Sequence, residues 1–268
     1  MVRVAGREWL GGRGRVERAQ RYDRPFLLTG AKRNTVLDLW EVERYGIDSY
    51  GDAEWVSIYG LRPSEWYARG VRLLGRTVVE CTRDRLGDAI GRQVAALVRQ
   101  ASPLVVDLFA GSGNTLHWLL RHLPGARGLG FEMDPRVFAL TKANLEALAL
   151  PVKILNVDYV TGLADVRGAR DQLLVVFIAP PWGEALDRTS GLDLRRTTPS
   201  ITEILDVLGR DVSANPLLCV VQVYERLVPG SLAEVRTRLD WSELRIFDQN
   251  VPGEKPGVLL GTRGWIPE

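Results

Sequence analysis

From residue 103 onward, short apolar segments alternate with stretches of helical periodicity. The apolar segments are rich in β-branched residues and span residues 103–109, 127–133, 152–157, 173–179, 216–224, 243–251 and 257–265. Helical patterns lie between them near residues 114–122, 136–148, 200–210 and 231–239. This alternation predicts an α/β fold with a seven-stranded, mostly parallel, doubly wound sheet. Because only PGEKPG separates the last two segments, we expect them to form a C-terminal antiparallel hairpin.

The residues before this alternation are predicted to be mainly helical. Apolar side chains recur on one face of residues 84–100, and Thr82 is the expected N-cap of this helix. Tryptophans and tyrosines are dense between residues 40 and 67, and we interpret most of them as a small second core. The alternative is an aromatic-lined substrate entrance. The predicted organisation is a basic arm over residues 1–35, a helical substrate or lid region over residues 36–100, and the sheet domain over residues 101–268.

The composition is that of an ordinary globular protein, with 46% hydrophobic and 25% charged residues. Cys81 and Cys219 are far apart in sequence, and His117 and His122 lie on different faces of a predicted helix. No spacing therefore matches a zinc site or a disulfide framework, and we predict a reducing compartment and no bound metal. The N-terminal residues lack the apolar segment of a signal peptide, and no apolar run approaches the roughly 18 residues of a membrane span. These patterns predict a cytoplasmic protein that does not bind membranes.

Positive charge is concentrated in residues 1–35. They carry a net charge of +6, whereas the whole chain carries +2. An arginine-rich arm of this kind can bind the phosphates of RNA by releasing counterions. The alternative is a solvated leader without a ligand.

The segment VVDLFAGSGNT, residues 105–115, combines a buried strand, a glycine-rich turn and the start of a helix. The strand ends in Asp107, the turn contains Gly111 and Gly113, and Asn114 opens the helix. The glycines let a ligand approach the backbone closely. Glu132 ends the next strand 21 residues after Gly111, which is the usual place for a carboxylate that accepts both hydroxyls of a ribose. The pairing predicts a nucleoside site.

Three ligands compete for this site. A phosphate-binding loop needs a lysine after its glycines, and none follows Gly113. A dinucleotide fingerprint needs a third glycine where Leu116 stands, and it does not explain the C-terminal hairpin. S-adenosylmethionine, which carries a ribose and an adenine but no phosphate, is the remaining candidate. Met133 would then pack on the adenine, and Asp158 would accept a hydrogen bond from its amine.

Structural roles also remain open for the acidic residues near this site. Asp107 is equally suited to capping a turn, and Asp158 to an ordinary loop. Asp134 stands before Pro135, a pattern typical of a helix N-cap followed by proline at the first helical position. We interpret Asp134 as a cap rather than a ligand.

The segment FIAPPWGEA, residues 177–185, runs from the apolar end of a strand into two prolines and a tryptophan. Pro180 and Pro181 cannot donate backbone hydrogen bonds, so the chain must leave the sheet as a stiff, extended turn. Trp182 is therefore held on a rigid support at the exit of a strand.

With these motifs in place, residues 103–265 resemble the class I S-adenosylmethionine-dependent methyltransferases. Within that group they look most like the trimethylguanosine synthase family, also called RNA cap guanine-N2 methyltransferases. The resemblance is carried by VVDLFAGSGNT, GFEMDP (130–135), VDY (157–159), APPWGE (179–184) and GLDLRRTTP (191–199). It implies that Trp182 stacks on the purine that is methylated, and that Thr82 lies near the methionine end of the cofactor.

The chain departs from this family at several positions. Ala179 stands where the family usually has serine and related amino-methylating enzymes have aspartate or asparagine. Glu184 stands where the family favours glycine, and Arg83 and Asp84 replace a proline and a glutamate after Thr82. The side-chain acceptor for an attacking amine is therefore missing, although the backbone carbonyls of Ala179 and Pro180 remain.

The first functional hypothesis is N-methylation of a purine-like or other planar heteroaromatic acceptor, in RNA or as a free nucleotide. The second is a small-molecule methyltransferase of specialised metabolism with a closed pocket. The third is a non-catalytic protein that binds the cofactor and RNA. An amine needs no strong general base, whereas a hydroxyl or carbon nucleophile does, and Glu184 and Asp187 are the nearest candidates in sequence.

Overall fold

The computed structural model describes residues 20–98, 102–166, 172–187, 189–248 and 255–267. The helices of these residues are α1 (Arg24–Leu28), α2 (Leu39–Tyr50), α3 (Pro63–Ala68), α4 (Gly75–Glu80), α5 (Asp84–Val98), α6 (Asn114–His122), α7 (Pro135–Ala147), α8 (Tyr159–Val166), α9 (Ile201–Asp211) and α10 (Pro229–Arg236). The strands are β1 (Leu104–Asp107), β2 (Arg127–Phe131), β3 (Lys153–Leu155), β4 (Leu174–Ile178), β5 (Leu186–Asp187), β6 (Gly191–Leu192), β7 (Leu217–Tyr224), β8 (Trp241–Ile246) and β9 (Pro256–Arg263).

Seven of these strands form one mixed sheet in the order β3-β2-β1-β4-β7-β9-β8. The four pairings from β3 to β7 are parallel, and β9 lies antiparallel between β7 and β8. The predicted α/β class, the seven strands and the C-terminal antiparallel hairpin are confirmed. Because β9 inserts beside β7, the hairpin extends the parallel sheet at one edge.

Both faces of the sheet are covered by helices, as a doubly wound fold requires. Val175 and Phe177 of β4 pack with α5 and α6 on one face. Val176 and Ile178 of the same strand pack with α8 and α9 on the other face. Every residue of β4 is buried, which explains why its sequence is a continuous apolar run rather than an alternating one.

The N-terminal helices enclose a second apolar core. Trp66 and Tyr45 are fully buried in it, which supports the interpretation of most aromatic residues between 40 and 67 as core. Trp40 is an exception, since 57% of it is exposed. This core is continuous with the sheet domain through buried residues such as Ala110 and Ile154.

The structure describes only the last part of the predicted basic arm, because residues 1–19 lie outside the described residues. From Arg24 to Leu28 the arm forms α1, and Leu27 is fully buried in the N-terminal core. Two of its cations are already engaged: Arg21 donates to the Asp48 carbonyl at 2.8 Å, and Lys32 pairs with Glu41 at 2.7 Å. The end of the arm is therefore part of the folded protein.

Three local features differ from the sequence prediction. The short helix α8 and the small antiparallel pair β5–β6 were not predicted. One face of α8 is buried against the sheet, where Gly162 lies against the ring of Phe131, and Thr161 and Asp165 are exposed on the other face. The helix α5 starts at Asp84, so Arg83 rather than Thr82 precedes its first residue.

Candidate active site

The direction of chain progression reverses beside β1, and this reversal defines a crevice. From β1 the chain builds outward through β2 and β3, and it then returns to add β4 on the other side of β1. Loops that follow β1 and β4 therefore diverge at the carboxyl ends of two neighbouring strands. In open α/β sheets this switch point is where ligands bind. The glycine-rich turn follows β1 and the proline–tryptophan turn follows β4, so the two sequence motifs meet here.

The glycine-rich turn has the conformation that the sequence predicts. Gly111 and Gly113 have φ angles of 51° and 73°, in the left-handed region that favours glycine. The Gly113 amide donates to the Ala110 carbonyl at 2.6 Å, and the Ala110 amide donates to the Phe131 carbonyl of β2 at 2.8 Å. A Cβ atom on Gly111 would have only the Phe109 carbonyl within 4 Å, at 3.9 Å. The backbone at Gly111 is therefore open to a ligand on that side.

Glu132 follows β2 and is tied directly to this turn. Its Oε2 atom accepts from the Gly111 amide at 3.1 Å, and its Oε1 atom accepts from the Asp134 amide at 2.7 Å. Burial raises the pKa of Glu132 in spite of these hydrogen bonds. Each carboxylate oxygen has a second lone pair, so both remain able to accept from a diol.

Asp107 lies at the end of β1 with only 1% of its surface exposed. It accepts a hydrogen bond from the Phe109 amide at 3.1 Å, as a turn cap does. Burial raises the pKa of Asp107 to about 7, and the nearby charge of Glu132 acts in the same direction. The site therefore contains a buried carboxyl group that changes charge near neutral pH.

Asn114 and Thr82 connect the glycine-rich turn to the N-terminal region. The fully buried Asn114 side chain accepts from the Tyr59 amide at 2.7 Å and donates to the Thr82 carbonyl at 2.7 Å and to Asp84 at 3.1 Å. The Tyr59 hydroxyl donates to the Ser112 carbonyl of the turn. Asn114 was predicted as a cofactor-binding residue, but its amide is directed into the protein. We assign it a positioning role.

Asp84 is half-buried and accepts several hydrogen bonds, a role that was not predicted from the sequence. It accepts from the Gly60 amide at 2.9 Å and from the Trp118 indole at 2.7 Å, besides Asn114. Burial raises the pKa of Asp84 even with these donors. Its position two residues after Thr82, where the resembled family has glutamate, was the available signal.

The loop that carries Glu132 is held from both sides. Arg76 of α4 pairs with the Asp134 carboxylate at 2.6 Å, and Asp134 caps α7 by accepting from the amides of Arg136 and Val137. The interpretation of Asp134 as an N-cap is confirmed. The Asn156 amide donates to the Glu132 carbonyl at 2.7 Å. Neither Arg76 nor Asn156 was identified from the sequence, because both act through partners that are distant along the chain.

Met133 and Asp158 lie at the ends of β2 and β3. Met133 is 69% exposed, and Val160 is 42% exposed, so apolar surface is available beside Glu132. The exposed Asp158 side chain accepts from the Val160 amide at 2.9 Å, and its carbonyl accepts from the Gly162 amide. Asp158 therefore caps α8, and the other oxygen of its carboxylate remains accessible.

The proline–tryptophan turn leaves β4 and enters a single 3₁₀ turn at Gly183–Ala185. Trp182 is half-buried, and its side chain packs against the core on the α8–α9 face. Three backbone hydrogen bonds hold the turn. The Thr198 amide donates to the Pro181 carbonyl at 3.5 Å, and the Ala185 amide donates to the Trp182 carbonyl at 2.8 Å. The Asp193 amide donates to the Ala185 carbonyl at 2.9 Å. The segment around Thr198 thus braces the turn from the outside.

Asp187 and Glu184 follow the turn and were the candidate bases. Asp187 accepts from the amides of Thr189 and Ser190 and from the Ser190 hydroxyl. These hydrogen bonds lower the pKa of Asp187, which makes it a poor proton acceptor. Glu184 is exposed.

The residues of the crevice fit a nucleoside cofactor. Glu132 offers free lone pairs, Gly111 offers open backbone, and Met133 offers apolar surface to a ring. No group of three histidine, cysteine or acidic side chains in the described ranges is arranged to hold a metal ion. No helix among the described residues is long and apolar enough to cross a membrane.

Two curated proteins are related to the chain in sequence. Trimethylguanosine synthase of Schizosaccharomyces pombe is 26% identical over 120 residues, which is 44% of this chain and 48% of that protein. A Streptomyces pristinaespiralis protein named 4-amino-L-phenylalanine/4-methylamino-L-phenylalanine methyltransferase is 33% identical over 122 residues, 45% of this chain and 40% of that protein. The matches span less than half the length of each relative. The predicted resemblance to trimethylguanosine synthase is confirmed.

Two solved structures with a similar arrangement are named as methyltransferases. Precorrin-6y C5,15-methyltransferase from Geobacter metallireducens has a TM-score of 0.44 and 14% identity, covering 69% of this chain and 89% of that chain. The METTL16 methyltransferase domain has a TM-score of 0.49 and 15% identity, covering 69% and 70%. These likenesses are distant. No protein-family model matches the chain.

Proposed function

We propose that this protein is an S-adenosylmethionine-dependent methyltransferase that methylates an amino group on a planar aromatic ring. One observation carries the proposal. The proline–tryptophan turn follows β4, and the glycine-rich turn follows the neighbouring strand β1 and is hydrogen-bonded to Glu132 through the Gly111 amide. The two homologues support it, since one is named for guanosine and the other for 4-amino-L-phenylalanine. Both compounds carry an amine on a flat ring.

Glu132 is the proposed ligand of the ribose hydroxyls, and the open backbone of Gly111 lies against the nucleoside. Met133 and Asp158 are the proposed contacts of the adenine ring and its amine. When bound, the cofactor supplies a methyl group on a positively charged sulfur. In their ionised forms, Asp107 and Glu132 would favour this positive charge, because opposite charges attract.

Trp182 is proposed to hold the acceptor ring against its face, at a cost in entropy that the rigid turn keeps small. Base–aromatic stacking is worth about 1–3 kcal/mol, and correct positioning supplies roughly 7–11 kcal/mol of a barrier. The carbonyls of Ala179 and Pro180 accept hydrogen bonds from the amine. Its nitrogen displaces the sulfur at the methyl carbon and afterwards releases a proton to solvent, so no general base is needed.

The test is methyl transfer to matched pairs of acceptors, measured by mass spectrometry. Guanosine monophosphate is paired with inosine monophosphate, and 4-amino-L-phenylalanine with phenylalanine, because the second member of each pair lacks the amine. We expect methyl transfer only to amine-bearing members of a pair. Equal transfer to the members without an amine, or cofactor binding without transfer to any acceptor, would contradict the proposal; the latter would identify a non-catalytic cofactor-binding protein.

The acceptor ring can belong to RNA or to a free small molecule, and a small-molecule acceptor is the second candidate. The pairing of Lys32 with Glu41 favours it, because this ion pair neutralises one positive charge of the basic arm. Binding of a capped RNA oligonucleotide that weakens steeply with salt would favour RNA. Deletion of residues 1–19, which leaves α1 in place, then shows whether the deleted residues contribute to RNA binding.

A further inference from the structure

Gln222 lies beside Ala179, and its side chain offers the hydrogen-bond acceptor that Ala179 lacks. The strands β4 and β7 are parallel neighbours, with Ile178 opposite Val221. Continuing this register by one residue places Ala179 beside Gln222, about 5 Å away across the sheet. The position next to the proline–tryptophan turn therefore has an amide side chain as its lateral neighbour.

Both side chains lie on the same face of the sheet. Alternation along β4 places Ala179 with Val175 and Phe177, and Ala179 packs in the core formed with α5 and α6. Alternation along β7 places Gln222 with Leu218 and Val220, which belong to the same core. The alanine methyl group is small, so it leaves the space above the strand exit to the longer side chain.

A hydrogen bond from Thr82 fixes the Gln222 side chain. The Thr82 hydroxyl donates to the Oε1 atom of Gln222 at 3.0 Å, and Thr82 is itself 9% exposed. This is the one hydrogen bond of the Gln222 side chain among the described residues. A carbonyl oxygen has two lone pairs, so Oε1 can accept a second hydrogen bond. The half-buried amide thus presents a fixed, partly unused acceptor at the carboxyl edge of the sheet.

We propose that Gln222 is a catalytic residue whose Oε1 atom accepts a hydrogen bond from the amine that is methylated. The assignment rests on the proposed function. It gives the site a side-chain acceptor for the amine, which Ala179 cannot provide. As the amine nitrogen attacks the methyl carbon, the carbon–sulfur bond breaks and its electron pair stays on sulfur. Positive charge develops on nitrogen, and its N–H bonds become stronger donors, so the hydrogen bond to Oε1 is strongest in the transition state.

The experiment compares Gln222→Leu with the wild-type protein, using 4-amino-L-phenylalanine and guanosine monophosphate as acceptors. We expect kcat to fall about 10²-fold, the usual effect of removing one transition-state hydrogen bond, with the Kd for S-adenosylmethionine within about twofold of wild type. Gln222→Met, which matches glutamine in length, repeats the test in case leucine disturbs the packing. Gln172→Leu is the matched control, since Gln172 bonds to Arg127 and Ser102 at the opposite edge of the sheet.

Rescue distinguishes a catalytic role from a structural one. Adding Ala179→Asn to Gln222→Leu restores a side-chain acceptor from the neighbouring strand, and we expect it to recover part of the lost kcat. Unchanged kcat in both Gln222 variants, or a loss of cofactor affinity as large as the loss of kcat, overturns the assignment while the proposed function stands. A wild-type protein that methylates no aromatic amine overturns both.

Discussion

The side chain of Asn114, at the first residue of α6, accepts a hydrogen bond from the backbone amide of Tyr59 at 2.7 Å. These residues are 55 positions apart, so the bond joins the N-terminal helical region to the glycine-rich turn. The Asn114 amide also donates to the Thr82 carbonyl. The buried Asn114 side chain, together with the hydrogen bond from the Tyr59 hydroxyl to the Ser112 carbonyl, therefore ties the glycine-rich turn to the N-terminal region.

Replacement of Asn114 by alanine is expected to destabilise the protein by about 3 kcal/mol, because it leaves a buried amide and a buried carbonyl without partners. The free energy of unfolding in urea measures this effect. Asn34→Ala is the control, since Asn34 is exposed and its replacement should change stability by less than about 0.5 kcal/mol. Equal stability of the two variants would show that the junction contributes nothing.

Arg76 is expected to support cofactor binding without touching the cofactor. Its pair with Asp134 holds the loop of Glu132, so Arg76→Met should weaken S-adenosylmethionine binding about threefold to tenfold in calorimetry. The control is Arg92→Met, which removes the exposed pair with Asp88 on α5. The effect should vanish in an Asp134→Asn background, because that change removes the charge and keeps the helix cap. A loss that persists there would contradict the mechanism.

Replacement of Trp182 by alanine should lower turnover by about 5-fold to 150-fold and leave cofactor affinity within about twofold of wild type, since stacking of the acceptor supplies about 1–3 kcal/mol. Trp182→Phe keeps an aromatic face and should retain a measurable part of the activity. Steady-state kinetics and calorimetry separate the two effects. If cofactor binding falls together with activity, Trp182 supports the cofactor site rather than the acceptor.

Glu132→Ala should show the opposite pattern and weaken cofactor binding first. The change removes the acceptor for the proposed ribose and the partner of the Gly111 amide. We expect a loss of at least about tenfold in affinity, the scale of one charge-assisted hydrogen bond. Calorimetry at equal protein stability checks this result. Cofactor binding at wild-type strength would contradict the assignment of Glu132.

Asp107 should make the stability of the protein depend on pH. Its pKa is raised to about 7 in the folded state by burial, so the folded state holds the proton more tightly than the unfolded state. This contribution to stability is therefore present at low pH and is lost as the pH rises from about 4 to about 7. Asp107→Asn removes the buried charge and should stabilise the protein by roughly 2–4 kcal/mol at pH 8, with a smaller gain at pH 5.

Urea unfolding at the two pH values measures this difference for Asp107→Asn and for the wild-type protein. Asparagine keeps an acceptor for the Phe109 amide, so the turn is preserved. A gain that is equal at both pH values would show that the carboxyl group does not titrate between them. A loss of stability at pH 8 would show that the ionised form is the favoured one.

Much of the site could be predicted because its pieces are local in sequence. The glycine turn after β1, the acid after β2 and the Asp134–Pro135 cap each follow from residues within a few positions of one another. Their relative placement then follows from the parallel sheet, since carboxyl ends of parallel strands share one edge. Helix α8 and the pair β5–β6 escaped prediction because their short segments gain stability from packing rather than from their own pattern.

The sequence alone determined the α/β sheet, the position of Glu132 relative to Gly111 and the stiff turn that supports Trp182, because strand pattern, glycine conformation and proline geometry act over short distances. The tertiary structure decided which residues complete the site. Arg76, Asn114 and Gln222 act through partners that are distant along the chain, and only folding brings them to the crevice. Ala179 has no polar side chain, and the register of β4 and β7 places Gln222 beside it.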